Sequence, residues 1–361
     1  MMRFLSLVGP SLYGEAVEQV DQLEDGLTEL GHEVSRIDLR AVDAGRVIAE
    51  QAHTPCAAAI SWDGAGVELG TPEHRSLFDA LGVPVVMWLR RHPAYYLAQF
   101  TLPIKGMRVV CADGSHQAFM KRYFDYMPAC TLAPGATLGS GAIWDGEELG
   151  PVMAATYYDP ELVRTAWTRL PATIHPFIEA LSEAALAAPT TPLHQLAEGQ
   201  VRTGKLTPDH VAVLPYVDAY MRGWQRRLWL DALTEAGIAV DLYGRAWDTY
   251  AHISAHRWHG PIAHPFLLAA LYHTPLLLVA GTGLTDTPHP ITLAALAAGT
   301  PVLCEPTSFT DPNLTIADPT TIAAQVRQLL NRPKSRAPLI AQSWKERSQQ
   351  LLDWLGLAVK V

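Results

Sequence analysis

The chain has 361 residues, 49% of them hydrophobic, enough to bury a large core and more typical of two domains than of one. A net charge of −9, with 17% charged residues, lacks the basic surplus that phosphate-backbone binding relies on, so nucleic acid is not an expected partner. Cys56, Cys111, Cys130 and Cys304 lie in or beside strand-like runs with no CxxC pair, which implies reduced, buried thiols in a cytoplasmic protein. The start "MMRFLSLVG" is too poor in apolar residues for a signal-peptide core, and "PFLLAALYHTPLLLVAG" is interrupted from Tyr272 to Pro275, so neither reads as a membrane span.

In chain order, "RFLSLVG" reads as a strand, Glu15 to Leu30 as an amphipathic helix stopped by Gly31, and "HEVSRIDL" as a second strand. A helical piece over Asp43 to Gln51 leads to "CAAAISW", "HRSLFDALG" to "VPVVMWL", "AYYLAQFT" to "MRVVCAD", and "HQAFMKRYFDY" to "ACTLAPG". Six strands alternating with helices predict a doubly wound, mostly parallel sheet over residues 1–140. The glycine-rich "PGATLGSGAIWDGEELG" reads as an interdomain loop, after which "PVMAATYY" restarts a strand. Residues 160–237 read as a helical insertion. The alternation then resumes through "AVDLYG", "RWHG", "LLLVAG", the helix "PHPITLAALAAG", "PVLCEP" and a helix over Thr320 to Leu330, which makes 150–338 a second α/β domain. Residues 339–361 hold an amphipathic helix that could pack across both domains.

Ligands of such folds bind at the carboxyl ends of the strands, so two Rossmann-like domains facing each other across a cleft would present their sites there. In "VGPSLYGEAV", Gly9 and Gly14 let backbone approach a ligand and Ser11 can cap the following helix, although a simple tight turn explains the stretch equally well. "LLLVAGTGLTD" has Asp286 where a dinucleotide fingerprint needs a third small residue, and neither a phosphate-loop nor a G-x-S-x-G motif is present. "HISAHRWHG" spaces His252 and His256 four apart but has no carboxylate or cysteine companion, so no metal site is expected; His259, just before Gly260, is expected to point toward the cleft. "MRGWQRRLWLDAL" reads as a solvated basic stripe, Arg222, Arg226 and Arg227, over an aromatic packing face; one of these arginines meeting a phosphate is the alternative. "WLRRHP" and "CADGSH" follow strands and bring His92, Asp113 and His116 toward the same edge, as general-base candidates or as caps.

The order of these motifs resembles the bacterial GT-B glycosyltransferases similar to the spore-maturation protein CgeB and to flagellin-modifying transferases. The resemblance rests on "VPVVMWLRRHP", "VVCADGSHQAFMKRYF", "VMAATYYDPE", "RRLWLDALTEAGIAVDLYGRAW", "WHGPIAH" and "LAALAAGTPVLCEP". It implies a transferase moving a sugar from a nucleotide-diphosphate donor such as a UDP-sugar, held by the second domain, to a protein, glycan or small-molecule hydroxyl on the first. It also implies no cofactor and no metal, because helix dipoles and basic side chains stabilise the leaving diphosphate. By position, Thr156, Tyr157, Tyr243, Gly244, Arg245, His259, Gly260, Asp286, His289 and Thr292 would surround the donor, and His92 or Asp113 would activate the acceptor. The chain departs from the family at Arg91, where an aspartate is usual, and at Ile291 and Ala294, where an arginine and a glutamate are usual. Either His289 and Arg245 substitute, or the donor site is altered, which keeps open a degenerate binding or scaffold subunit. A glycosyltransferase acting on modified DNA bases is a weaker alternative, disfavoured by the acidic balance.

Overall fold

The computed structural model describes residues 1–11, 14–40, 44–71, 76–136, 143–335 and 342–357. It divides into two compact units, Met1–Thr137 with Leu339–Val361, and Leu138–Pro338.

The first unit contains one sheet of β1 (Arg3–Val8), β2 (Glu33–Asp38), β3 (Ala58–Trp62), β4 (Val85–Leu89), β5 (Met107–Cys111) and β6 (Ala129–Thr131). Its order is β2-β1-β3-β4-β5-β6, every pair parallel. β3 and β4 are buried along their whole length, as central parallel strands covered on both faces must be. The connections carry α1 (Glu15–Glu29), α2 (Ala44–Ala52), α3 (Leu77–Leu81), α4 (Leu97–Phe100) and α5 (Gly114–Tyr123). α1 buries Ala16, Gln19, Val20, Leu23, Gly26 and Leu27, a stripe at helical spacing, and the chain leaves it through Gly31 at φ 83. The six expected strands are all present. Asp43, His74 and Arg75 of the expected helices lie outside the described residues.

The second unit contains β7 (Val152–Ala154), β8 (Asp241–Tyr243), β9 (Arg257–Gly260), β10 (Leu277–Val279), β11 (Val302–Cys304) and β12 (Leu314–Ile316). They pair in parallel in the order β12-β11-β10-β7-β8-β9. Between β7 and β8 stand α6 (Pro160–Trp167), α7 (His175–Ala187), α8 (Leu193–Gly199), α9 (Pro208–Ala212) and the long α10 (Leu214–Glu235), the helical insertion the sequence predicts. α11 (His264–Leu271), α12 (Pro290–Ala298) and α13 (Ile322–Leu330) complete the alternation. β12 is an addition to the five expected strands. One core cluster packs Met153, Leu230, Leu242, Trp247, Leu278 and Leu303 between sheet and helices.

The last helix, α14 (Trp344–Leu355), belongs to the first unit. The sequence suggests a helix packing across both domains; what the structure shows of it is a seat on α1. Gly26 of α1 makes that approach possible, since a Cβ there would stand 2.6 Å from Ser348 Oγ and 2.9 Å from the Trp344 carbonyl oxygen. Trp344 completes an aromatic cluster, its ring centroid 5.9 Å from Trp62 and 5.7 Å from Trp88. All four cysteines are free; Cys111 and Cys304 are buried, as expected, while Cys56 and Cys130 are only partly covered. Among the described residues no helix is long and apolar enough to cross a membrane.

Candidate functional site

In the first sheet β1 has β2 on one side and β3 on the other, so the chains leaving β1 and β3 diverge and open a crevice between their carboxyl ends. A cavity of about 410 Å³ lies there, walled by Gly9, Trp62, Asp63, Gly64, Arg90 and Gln99 among others. Asp63 follows β3 with φ at 50°, a left-handed backbone that aspartate tolerates better than most residues. Its Oδ1 accepts from the Arg90 amide (3.1 Å) and the Tyr96 hydroxyl (2.6 Å), and its Oδ2 from Arg90 Nε (2.8 Å) and Nη2 (2.5 Å). Burial alone would raise this carboxyl, but Arg90 and Tyr96 outweigh it and hold it below the ordinary aspartate value. Arg90 also lies 3.5 Å from Glu15 Oε2 at the start of α1. Gly9 lines this cavity; Ser11 accepts from the Ala16 amide at 3.1 Å, and Gly14 takes a left-handed φ of 78° in front of α1.

The general-base candidates are elsewhere. His92 is 6% exposed and caps the turn Pro93–Tyr96, its Nδ1 accepting from the Ala94 amide at 3.2 Å. Asp113 is fully buried and caps α5, accepting from the Ser115 amide (2.9 Å) and hydroxyl (2.5 Å). His116 is 1% exposed and lies edge-on to His92 with ring centroids 5.1 Å apart. The structure brings these residues together beneath α5, in capping and packing positions, and none lines the cavity.

In the second sheet the order reverses between β7 and β10, and Arg226 of α10 occupies that point. It donates to the carbonyls of Ala280 (3.0 Å), Gly281 (2.9 Å) and Thr156, and its guanidinium lies over the Tyr158 ring at 5.9 Å. Burial, reinforced by Arg222, lowers its pKa to about 10. Arg226 is therefore a brace between two strand ends rather than part of a solvated stripe. Arg222 is ion-paired to Asp218 (2.7 Å), and Arg227 lies 3.6 Å from Asp231.

Beside this brace the ends of β10 and β11 and the entrance to α12 enclose a space of about 10 Å³, room for one water-sized group. Glu305, directly after β11, lines it; its Oε2 accepts from the Thr282 amide (3.0 Å) and hydroxyl (3.4 Å), while the buried Oε1 makes no hydrogen bond among the described residues. Burial raises this carboxyl above the ordinary value, against the pull of the Thr282 and Gly281 amides and of Arg226 and Arg222. Thr292, 1% exposed, and His289 line the same space, while Asp286 is exposed just before it. His289 caps α12 through Nδ1, which accepts from the Ile291 amide at 3.3 Å, and its carbonyl takes the amides of Thr292 (2.9 Å) and Leu293 (3.4 Å). With Pro290 supplying no N–H, the first turn of α12 already has its donors engaged. Ile291 and Ala294 are buried, at 7% and 5% exposure, inside the fold.

The remaining donor candidates gather around the carboxyl ends of β7, β8 and β9. Tyr157 is buried and stacked on Trp247, its amide bound to the Arg245 carbonyl at 2.9 Å. Gly244 has φ 127°, and a Cβ there would stand 2.0 Å from the Ala155 carbonyl oxygen, so glycine is required for backbone approach. Its amide bonds the Gly260 carbonyl at 2.9 Å, and the exposed Arg245 follows it. His259, expected to point toward the cleft, stacks on Tyr243 and bonds Asp241 Oδ1 through Nε2 at 2.7 Å. Asp241 Oδ2 is tied to the Gly150 amide (2.6 Å), before β7. His256 is buried and His252 exposed; among the described residues no group of three metal-ligating side chains occurs. Asp63, Arg90 and Glu305 are not among the residues that motif spacing suggests, yet each directly follows a strand, the signal by which the others are found.

Two parallel α/β units in succession, the second in Rossmann order, define the GT-B fold. Solved structures agree over nearly the whole chain. An α-glucosyltransferase bound to UDP and a 13-mer DNA containing an HMU base superposes with a TM-score of 0.53 at 10% identity, over 98% of this chain and 95% of that one. The UDP complex of α-glucosyltransferase (AGT) gives 0.52 at 10% identity, over 99% and 96%. At such identity the likeness is one of fold. A family described as glycosyl transferase-like matches residues 225–354, from within α10 into α14. No curated protein matches the sequence.

Proposed function

We propose that this protein is a nucleotide-sugar glycosyltransferase of the CgeB-like type, with the donor on the second unit and a hydroxyl acceptor on the first. The observation that carries the reading is the carboxyl edge of the second sheet: polar groups of Thr282, His289, Thr292 and Glu305 meet there, inside the segment that the glycosyl transferase-like family matches. Glu305 offers a carboxylate oxygen to a ligand hydroxyl, and the exposed Arg245 offers a cation to a diphosphate. Leaving-group charge would then be balanced by the protein's own cations and the α12 dipole, and transfer should persist in chelator. The neighbours bound to UDP support a uridine donor as the first to test.

The test is a thermal-shift series with UDP, GDP and dTDP. A ligand at a hundredfold excess over its Kd stabilises by about 2.7 kcal/mol, so at least one nucleotide should raise the melting temperature by several degrees, and silence from all of them would refute the reading. A second reading, a binding subunit without chemistry, is favoured by buried Ile291 and Ala294 where the family places a cation and a carboxylate. Transfer or hydrolysis of a labelled nucleotide sugar by the purified protein would exclude it.

A further inference from the structure

The cavity at the end of β1 and β3 has a charge pattern that no feature of the donor side explains. Arg90, its one guanidinium among the described residues, is held by Asp63 through Nε and Nη2, and its Nη1 lies 3.5 Å from Glu15. Two carboxylates therefore lie against this guanidinium. Glu68 is an exposed third carboxylate on the cavity wall and makes no ion pair among the described residues. Among the described residues no lysine and no second arginine lines the space. A phosphate or a nucleic-acid backbone placed there would face the carboxylates of Asp63, Glu15 and Glu68 at short range.

The rest of the wall suits a small hydroxylated molecule. Pro10, Ala65, Ala98 and Leu102 offer C–H surface, and the Gln99 amide can both donate and accept. The volume, about 410 Å³, falls in the range of small-molecule pockets. The glycines keep it open: a Cβ on Gly9 would stand 2.8 Å from Ala65 Cβ, and one on Gly64, at φ 75°, would meet Met87 Cε at 3.0 Å and Gln99 Cγ at 3.1 Å.

We infer that this cavity binds a hydroxylated ligand that carries a positive charge and no phosphate, of the amino-sugar class, with Glu68 as the partner of its ammonium group. The inference rests on the glycosyltransferase reading only in naming this ligand the acceptor. It separates the chain from the DNA that its structural neighbour holds.

The probes are glucosamine, glucose and glucose 6-phosphate, their binding to the full-length protein followed by ligand-observed NMR, with a UDP thermal shift on the same sample. Glucosamine should bind more tightly than glucose, by up to about fivefold, and glucose 6-phosphate most weakly of the three. Glu68→Lys, an exposed substitution that should leave the melting temperature unchanged, should abolish the preference for glucosamine, and Glu68→Gln should reduce it. Absence of glucosamine binding, equal or tighter binding of the phosphate ester, or an unaltered preference in Glu68→Lys overturns the inference. If UDP stabilises the protein while any of these holds, the acceptor assignment fails and the transferase reading stands. Glucosamine preference without any nucleotide response has the opposite meaning: the cavity is assigned and the transferase reading falls.

Discussion

Gly223→Ala sets helix propensity against tertiary packing, and the structure indicates which wins. In the interior of an isolated helix this change stabilises by about 1 kcal/mol. Here α10 passes so close to the chain leaving β7 that a Cβ on Gly223 would stand 1.7 Å from the Tyr158 carbonyl oxygen and 2.8 Å from its carbon. Backbone cannot rotate aside as a flexible side chain can, so helix and loop must separate by about 1.3 Å to reach the shortest contact that a Cβ tolerates, 3.0 Å. Overpacking of this kind costs about 1–3 kcal/mol. Arg226, on the next turn of the same helix, then loses reach to the Thr156 carbonyl, and a hydrogen bond from a charged donor contributes about 1.5–3 kcal/mol. Net destabilisation after the propensity gain is about 3 kcal/mol, or roughly 6–12 °C for a unit of this size. Urea unfolding followed by tryptophan fluorescence and circular dichroism reads it directly. The control is Gly199→Ala at the end of α8, where a Cβ meets nothing within 4 Å and stability should be unchanged or slightly higher. Gly223→Ala unfolding at or above the wild-type midpoint would refute the reasoning.

Glu305→Gln keeps shape but removes the charge facing the α12 entrance; nucleotide-sugar affinity should fall by about tenfold with little change in melting temperature, and calorimetric titration showing unchanged affinity would count against the donor assignment. Asp63→Asn removes the charge that holds Arg90 and should destabilise the first unit by about 2–3 kcal/mol in denaturant melts, whereas a neutral result would show the network to be ornamental. Trp344→Ala, which opens a hole against Trp62 and Trp88, should cost about 3–5 kcal/mol in the same melts. His256 is buried as a neutral ring, Nδ1 accepting from the Val240 amide (3.2 Å) and Nε2 paired with Thr234 Oγ1 (3.0 Å). Burial lowers its pKa below the ordinary 6.5, so the unfolded chain takes up the proton first as pH falls. The stability it contributes is complete above about 6.5 and is lost as pH falls from there through its folded value; His256→Gln should show a shallower decline in melting temperature between neutral pH and about pH 5.5.

The alternation of elements was legible because the central strands are apolar on both faces and helices end on glycines such as Gly31, Gly82 and Gly299, which take left-handed backbone. β12 was not, because Leu314–Ile316 is short and only partly covered, and so carries no apolar run. The rule that ligands meet strand ends was sound, but it does not say which polar residue faces the ligand and which caps the next helix. His92 and Asp113 became caps, and Asp63, which no motif marks, became the hub of the cavity wall. Arg226 has the same helical spacing as a solvated arginine, and only the path of α10 across the sheet edge decides its fate. Glu305 was masked by "PVLCEP", read there simply as a strand, although it sits one residue past that strand's last pairing.

The seat of α14 on α1 has a consequence for biosynthesis. A ribosome delivers the six strands of the first unit early but supplies Trp344, Leu351 and Leu352 only after the entire second unit has emerged. Until then Trp62 and Trp88 lie uncovered beside α1, an apolar slot open to chaperones or to neighbouring nascent chains. Of the two units, the one that begins first is therefore completed second.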